Sequence, residues 1–191
     1  MAAQLEIAMR RLAAALVLSL AAWGTALAYD VGPPVGARVP AFSAKDADGA
    51  PRTLQSLMGP SGLVLVFHRS ARWCPYCQAQ LISLREAEAP LARRGYKLAA
   101  ISYDAPDVLR TFAGRRQIGY ALLSDEGSRT IDAFGLRDPQ YKPGSMAYGV
   151  PQPAIFIISP QGVIRANLAE EGYKKRPQVE AVLAAVDGLA R

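Results

Sequence analysis

The sequence predicts a single α/β domain with a central mixed β-sheet flanked by helices, and three observations support this prediction. Two apolar runs, residues 62–68 and 97–104, have the length and continuity of strands that are buried on both faces. Each run is followed by a segment with apolar residues at helical spacing. A second pair of apolar runs, "AIFIIS" and "VIRANL", flanks "PQG" and predicts a hairpin that adds antiparallel strands.

The first 28 residues have the features of a signal peptide. Arg10 and Arg11 form a positive region, the apolar stretch 12–24 follows, and Ala26 and Ala28 are the small residues that a signal peptidase recognises. The stretch is shorter than the roughly 20 residues that a membrane-spanning helix needs. We therefore expect residues 1–28 to be removed from an exported, periplasmic protein, with an uncleaved membrane anchor as the alternative.

The rest of the chain divides into a short lead-in and one domain. Residues 29–37 are rich in Gly and Pro and lack a packing period, and residues 38–191 form the predicted domain. The net charge of +6 is modest, and the basic clusters at 93–94, 115–116 and 174–176 are scattered along the chain. This pattern is typical of a solvated surface and does not indicate a nucleic-acid partner.

Turn residues and periodicity predict the smaller elements. Asp48-Gly49 centres a short hairpin that is followed by a turn of helix. Pro106 and Asp107 begin a helix, and Pro177 leads into an amphipathic C-terminal helix from Val179. Between these two helices the sequence predicts a short extended piece in "YALLSD", a helical turn or two in "GSRTIDAFGL", and an irregular loop over residues 138–153.

The longest predicted helix begins at Pro75 and runs to about Arg94, where Gly95 stops it. Leu81, Leu84 and Leu91 recur along it at helical spacing. A proline inside a helix removes one backbone hydrogen bond, so we expect the proline at position 90 to kink this helix or to end its regular part.

Both cysteines of the chain, Cys74 and Cys77, lie at the start of this helix in "RWCPYC". A helix N-terminus offers unsatisfied N–H groups and the positive end of the helix dipole, which favour a thiolate over a thiol. Cys74 lies at that end, so we expect it to be the attacking sulfur, with Cys77 one turn further in as the resolving cysteine. Pro75 fits the first helical turn, and Trp73 is expected to limit access to Cys74.

Three other roles for the cysteine pair have weaker support. A structural disulfide that closes a loop of about four residues stabilises a fold by roughly 2 kcal/mol before strain is subtracted. A closed zinc site needs four ligands, whereas the chain contains two cysteines and one histidine. Haem attachment needs a histidine directly after the second cysteine, where Gln78 stands. The pair is therefore predicted to be redox-active, with no metal and no cofactor.

With these residues identified, the sequence resembles a known family. "RWCPYC" after an apolar strand is similar to a thioredoxin-fold active site, and a Cys-Pro-Tyr-Cys tetrad, here with Tyr76, is also typical of glutaredoxins. The stretches "FSAKDADGAPRTLQSL", "LAAISYDAPDVLRTFAGRRQIGYALLSDEG" and "PAIFIISPQGVIR" resemble the alkyl hydroperoxide reductase and thiol-specific antioxidant (AhpC/TSA, peroxiredoxin-like) family. The resemblance covers about residues 35–170 and implies a thioredoxin-like fold.

The resemblance also implies further site residues. Thioredoxin folds place a cis-proline opposite the cysteine pair; Pro153 matches that position, with Pro151 as second choice, and Gln152 would offer backbone groups to an extended substrate. Thioredoxins also have a buried ionisable group near the position of His68, which handles the proton of the second cysteine. A strand-end histidine with satisfied hydrogen bonds is the default interpretation of His68, the only histidine in the chain.

The peroxiredoxin pattern Pro-x-x-x-Thr/Ser-x-x-Cys does not fit either cysteine. With Cys77 as the peroxidatic residue, Ser70 and Cys74 occupy the proline and threonine positions; with Cys74, Phe67 and Ala71 occupy them. The arginine that a peroxiredoxin places just before the final hairpin is also replaced. These departures weigh against direct peroxidase activity.

The leading interpretation is an exported thiol–disulfide oxidoreductase with an antioxidant role, in which Cys74 attacks a substrate disulfide and Cys77 resolves it. One alternative is a thiol peroxidase in which Cys74 forms a sulfenic acid that condenses with Cys77. Another is a copper metallochaperone, although such proteins use a wider cysteine spacing and a distal histidine. The expected partners are protein disulfides or thiols, or small peroxides, together with a thioredoxin-like or membrane reductase. The loop 138–153 is expected to border the site.

Overall fold

The computed structural model describes residues 29–189, so the predicted signal peptide lies outside the described residues. The described chain contains seven strands and six helices, which we number separately in chain order. They are β1 Ala44–Asp46, β2 Pro51–Arg52, α1 Leu54–Leu57, β3 Gly62–Phe67, α2 Pro75–Ser83, α3 Arg85–Arg93, β4 Tyr96–Ser102, α4 Pro106–Arg116, β5 Ala121–Ser124, α5 Arg129–Ala133, β6 Ala154–Ile158, β7 Ile164–Ala169 and α6 Val179–Leu189.

The strands form one mixed sheet in the order β2-β1-β5-β4-β3-β6-β7. The strands β3, β4 and β5 are parallel, whereas β6 runs antiparallel to β3 and β7 runs antiparallel to β6. The predicted fold class is therefore confirmed, including the final hairpin. The carboxyl ends of β3, β4 and β5 meet at one edge of the sheet, and the cysteine pair follows β3 at that edge.

The central strand β3 is completely buried because both of its faces are covered. Successive side chains of a strand point to opposite faces. Val64 and Val66 pack into a cluster with residues of α2, α3, α4 and α6. Leu63, Leu65 and Phe67 pack into a second cluster with residues of α1 and α5. Two apolar layers thus fix the end of β3 from which the cysteine loop leaves.

The predicted hairpin at Asp48-Gly49 is present between β1 and β2. The Asp46 carboxylate accepts backbone hydrogen bonds from Asp48 at 3.0 Å and Ala50 at 2.9 Å. Gly49 has φ of 85°, a left-handed conformation that glycine adopts without steric cost. The turn chemistry that predicts this hairpin therefore also explains its geometry.

The long helix predicted from Pro75 is two helices, α2 and α3, which meet at Leu84. Of the two effects expected of the proline at position 90, ending the regular helix is wrong, because Pro90 lies inside α3, which continues to Arg93, and a kink there stays a prediction. Its ring removes the hydrogen bond to the carbonyl of Glu86, but Glu86 is exposed, so water can satisfy that carbonyl. The break occurs instead at Leu84, whose carbonyl accepts from Ala87 in a tight three-residue turn.

The lead-in and the first residues of the domain pack against the final hairpin. The backbone N–H of Gly36 donates to Ile164 and that of Val39 donates to Gly162, each at 2.8 Å. Gly32 has φ of 77°, and a Cβ there would lie 2.9 Å from the ring of Phe156. Within residues 29–189, none of the helices combines the length and apolar character needed to span a bilayer.

Candidate active site

Cys74 and Cys77 lie where the helix-start prediction places them. Cys74 is the N-cap of α2, Pro75 is its first residue, and the Cys74 Sγ accepts a hydrogen bond from the backbone N–H of Cys77 at 3.3 Å. The two cysteines form a disulfide with their Cα atoms 5.2 Å apart. Cys74 is 2% exposed and Cys77 is completely buried. The pair is therefore joined and almost enclosed at the positive end of a helix.

A buried carboxylate holds the loop that leads into the pair. The Asp104 carboxylate, just beyond β4, accepts from the Ser70 hydroxyl at 2.8 Å and from the backbone N–H of Ala71 at 2.7 Å. The Ser102 hydroxyl donates a third bond to it at 2.9 Å. Burial raises the pKa of Asp104, while these hydrogen bonds act in the opposite direction. Asp104 thus links the end of β4 to the cysteine loop.

Trp73 is fixed by a chain of hydrogen bonds. Its indole N–H donates to the Tyr103 hydroxyl at 2.9 Å, and that hydroxyl donates to the carbonyl of Met146 at 3.0 Å. Met146 belongs to the loop 138–153, which borders the site as expected. The half-buried Trp73 ring is thereby held directly beside Cys74 in the chain.

Arg69 is a buried cation that the sequence analysis did not identify. It is 2% exposed, and its guanidinium carbon lies 5.3 Å from the Trp73 ring centroid, 5.0 Å from that of Tyr141 and 4.3 Å from that of Tyr173. Its Nη2 donates to the Tyr141 hydroxyl, whereas its Nε is buried with no hydrogen-bond partner in the described part of the chain. Aromatic faces thus replace the usual carboxylate around this charge.

Arg176 is a second missed cation, and it lies against the redox pair. Its Nη2 is 3.6 Å from the Cys77 Sγ, and its Nη1 donates to the carbonyls of Tyr173 and Lys175. Burial, and then the charge of Arg69, lower the pKa of Arg176 to about 10, so the guanidinium stays charged at neutral pH. Among the described residues, no carboxylate lies within ion-pair distance of either guanidinium.

The segment that carries Arg176 also reaches the cysteine loop through Tyr173. The rings of Tyr173 and Tyr76 meet edge to face with centroids 5.9 Å apart. Tyr76 itself is 39% exposed, so the tetrad presents its tyrosine to solvent while its sulfurs are covered. The part of the sequence interpreted as a solvated basic cluster at 174–176 therefore covers one side of the site, and for Arg176 that interpretation is wrong.

His68 is buried at the end of β3, but its hydrogen bonds are not satisfied as the default interpretation expected. Both ring nitrogens are buried without a partner among the described residues. Burial first, and then the charge of Arg176, lower the pKa of His68 to about 3. The imidazole is therefore neutral at neutral pH and is a poor acceptor for the proton of Cys77.

Pro153 lies directly before β6, whose first residue, Ala154, pairs with Phe67 at the end of β3. No described peptide bond is cis, so the cis-proline expected at Pro153 is not present. The backbone N–H expected to face a substrate at Gln152 donates instead to the Leu136 carbonyl at 2.7 Å. The backbone N–H of Gln152 is thus already used in an internal hydrogen bond and is not available to bind an extended peptide.

The missed residues had weak sequence signals. Arg69 follows an apolar strand directly, a position where a charge is unusual and therefore informative. Arg176 gave no local signal, because it lies 99 residues from the cysteine that it contacts. Within residues 29–189, no group of three or more His, Cys, Asp or Glu side chains is arranged to hold a metal ion.

The arrangement can perform two-electron thiol chemistry. A reduced pair would have Cys74 at the helix N-terminus and Cys77 beside a guanidinium, and both environments favour thiolates. The sulfurs are already close enough to close the disulfide without unfolding α2.

The fold and the sequence both match proteins of one family. The model of the AhpC/TSA family matches residues 35–167. Peroxiredoxin Bcp of Escherichia coli is 30% identical over 125 residues, which are 65% of this chain and 78% of that protein. The chloroplastic peroxiredoxin Q of Sedum lineare is 25% identical over 130 residues, and the match spans 68% of this chain and 66% of the relative. For the peroxiredoxin Q of Populus jackii the match spans only 57% of the relative.

Solved structures agree on the fold. Peroxidoxin BcpB from Mycobacterium tuberculosis superposes with a TM-score of 0.69 at 23% identity, covering 84% of this chain and 99% of that one. A peroxiredoxin-like protein from Aquifex aeolicus gives a TM-score of 0.69 at 21% identity, covering 83% of this chain and 90% of that one. The thioredoxin-like fold and the family expected from "RWCPYC" and its flanking stretches are confirmed. The chain belongs to the AhpC/TSA family, a family of thiol-dependent oxidoreductases.

Proposed function

We propose that this chain is a thiol peroxidase, in which Cys74 reduces a hydroperoxide and Cys77 resolves the product. The Cys74 thiolate attacks the terminal peroxide oxygen, the O–O bond breaks, and the hydroxyl stays on the sulfur as a sulfenic acid, while the leaving alkoxide takes from water the proton that Cys74 lost on ionising. Cys77 then attacks the Cys74 sulfur, the disulfide forms, and the hydroxyl leaves as water. An external thiol donor supplies the two electrons that reopen the pair.

The observation that carries this proposal is the burial of the disulfide beside Arg176. A sulfur that is 2% exposed admits a small oxidant more easily than the disulfide of a folded protein. The relatives named as peroxiredoxins support the same substrate class. The guanidinium at Cys77 supplies a cation to the site, although from a different position than the peroxiredoxin pattern would have it.

Stopped-flow mixing of the reduced chain with hydrogen peroxide tests the proposal, with Trp73 fluorescence as the signal of disulfide closure. We expect a bimolecular rate constant far above that of a free thiol, with no reaction in Cys74→Ser. Cys77→Ser should stop at a sulfenic acid that dimedone traps. Oxidation no faster than that of a free thiol would exclude the peroxidase.

The second candidate is thiol–disulfide exchange, which the sequence analysis favoured. It is supported by the "RWCPYC" motif and by the absence of the peroxiredoxin proline and threonine around either cysteine. The reduction potential of the pair would distinguish its two directions, since a value near −270 mV is typical of a reductase and one near −120 mV of an oxidase. In that case the expected redox partner is a thioredoxin-like or membrane reductase that exchanges electrons with the cysteine pair. The copper alternative draws no support from the peroxiredoxin relatives.

We also propose that the chain is exported, on the pattern of residues 1–28. Expression of the full chain in a Gram-negative bacterium, followed by fractionation and N-terminal sequencing, tests this. A periplasmic product that begins at Tyr29 is expected. Retention of Arg10 and Arg11 in a membrane fraction would instead support the uncleaved anchor.

A further inference from the structure

We propose that the thiol which reduces the Cys74–Cys77 disulfide is a small anionic one, bound in a basic groove beside Cys77. The inference rests on the proposed function in one respect, that an external thiol reopens the disulfide in each turnover. It adds the size and the charge of that donor and the residues that select it.

The basic groove is a cavity of about 490 Å³ between α2 and the chain before α6. Tyr76 and Gln80 line it on the side of α2, and Lys174, Lys175 and Arg176 line it on the other side. Pockets that hold small molecules have volumes of roughly 300–1,000 Å³, so the groove has the size of a small-molecule site.

The charge of the groove selects an anion. Lys174, Lys175 and Arg176 are its cationic lining residues, and Glu170 is the one carboxylate among the lining residues. The Arg176 Nε is buried without a hydrogen-bond partner within residues 29–189, so the guanidinium in this wall has hydrogen-bonding capacity that the described chain does not use. A concave surface with charges of one sign concentrates ligands of the opposite sign. A carboxylate-bearing thiol meets both requirements.

Arg176 connects the groove to the reacting sulfurs, because its Nη2 is 3.6 Å from the Cys77 Sγ. A donor thiolate attacks the Cys74 Sγ, the disulfide bond breaks, and Cys77 leaves as a thiolate beside the guanidinium. A second donor thiolate attacks the mixed disulfide and releases the donor as its own disulfide. The two donor thiols supply one proton to Cys74 and one to Cys77, so the pair gains two electrons and two protons.

The test compares three thiols of similar size as reductants of the oxidised chain: 3-mercaptopropionate, which is anionic, 2-mercaptoethanol, which is neutral, and cysteamine, which is cationic. The Lys174→Gln/Lys175→Gln double variant removes two groove charges that do not contact the sulfurs. The ratio of the rates with 3-mercaptopropionate and 2-mercaptoethanol should fall about fivefold in this variant, since exposed ion pairs contribute modestly. The intrinsic reactivity of each thiol cancels when the ratios of the two proteins are compared.

The Lys45→Gln/Lys97→Gln variant is the matched control, because it removes the same charge at exposed positions on β1 and β4. It should leave the ratio unchanged, and cysteamine should gain in the groove variant. A ratio that is the same in the wild-type and groove variants would overturn the inference, and so would an equal fall in the control. If the donor is instead a protein reductase whose acidic surface docks on these lysines, the ratio of the rates of the two small thiols would be the same in the wild-type and groove variants. That result would overturn the inference as well. The assay starts from the oxidised chain without peroxide, so failure of the peroxidase proposal would be seen separately.

Discussion

Two buried polar regions lie at the same edge of the sheet, and they are built in opposite ways. The carboxylates Asp104 and Asp125 follow β4 and β5, and both accept several hydrogen bonds. The cationic cluster consists of Arg69 and Arg176 together with the neutral His68, and of these Arg176 contacts the cysteine pair. Each of the three has at least one buried nitrogen without a partner among the described residues. Native proteins satisfy nearly all buried polar groups, so an unsatisfied cluster signals a function rather than a stabilising role.

The two regions therefore have different roles: the carboxylates form a stabilising framework, and the cationic cluster serves the chemistry of the cysteine pair. Asp104 ties the cysteine loop to β4, and Asp125 accepts hydrogen bonds from two backbone N–H groups in the first turn of α5, so both carboxylates stabilise the edge on which the site is built. The cationic cluster instead holds the charge of Arg176 next to the Cys77 sulfur, at the free-energy cost of burying polar groups. Substitutions in the two regions should therefore change stability in opposite directions.

Asp125→Ala should produce the largest loss of stability. The Asp125 carboxylate accepts from the backbone N–H groups of Thr130 at 3.2 Å and Ile131 at 2.8 Å, and both would be left buried without a partner. We expect the free energy of unfolding to fall by about 3 kcal/mol in chemical denaturation. Glu126→Ala removes the same charge at the exposed neighbouring position and should cost less than about 0.5 kcal/mol. Equal losses in the two variants would contradict the stabilising role of the hydrogen bonds to Asp125.

His68→Leu should change the acid side of the stability profile next most strongly. The pKa of His68 is lowered to about 3 in the folded state from 6.5 as a free side chain, so the unfolded chain binds the proton first as pH falls. The contribution that the neutral His68 makes to the free energy of unfolding is thus fully present above pH 6.5 and is lost as the pH falls towards 3. This contribution should decrease by about 2 to 3 kcal/mol between pH 7.5 and 4.5. The variant should lack this contribution.

At neutral pH the same substitution should stabilise the fold, since it replaces two unpartnered buried nitrogens with an apolar side chain. Urea denaturation at several pH values measures both effects. His68 is the only histidine, so no other imidazole can contribute to the difference. An unchanged acid slope, or a loss of stability at neutral pH, would place His68 with the satisfied framework instead.

The sequence predicted the framework better than the cationic cluster, for physical reasons. The burial of β3, the hairpin at Asp48-Gly49 and the helix start at Cys74 depend on local patterns of apolar and turn residues. The break at Leu84 depends on how α2 and α3 share one core, which a helical period does not encode. The contact of Arg176 with Cys77 joins positions 99 residues apart, so only the folded chain reveals it.

The region around Pro153 shows the limit of a resemblance. Trans bonds are favoured even before proline, and a cis bond needs a backbone that enforces it. Here Gln152 is held by the Leu136 carbonyl and by the hydroxyl of Tyr29, which donates to its side-chain oxygen at 2.8 Å. Those partners come from the lead-in and the chain after α5, neither of which the active-site motif could predict.

Arg176→Met should lower the reduction potential of the pair, because the guanidinium stabilises the Cys77 thiolate of the reduced form. We expect a shift of about 30 mV, equivalent to about 1.4 kcal/mol, in equilibration with a thiol redox buffer. Arg176→Lys should restore part of the shift, and Arg165→Met, on exposed β7 surface, should have none. A stable Arg176→Met variant with an unchanged potential would separate this charge from the redox chemistry.

Tyr103→Phe should have the smallest effect, because Tyr103 belongs to neither region and links Trp73 to the loop 138–153. Its hydroxyl accepts from the Trp73 indole at 2.9 Å and donates to the Met146 carbonyl at 3.0 Å, so the substitution removes both bonds while the ring remains. Each group is partly accessible to water, and the net loss of stability should be about 1 kcal/mol. Trp73 should then become easier to quench with acrylamide, whereas Tyr96→Phe on β4 should leave its emission unchanged. Unaltered quenching in Tyr103→Phe would mean that the packing of Arg69, rather than this hydrogen bond, holds the indole beside Cys74.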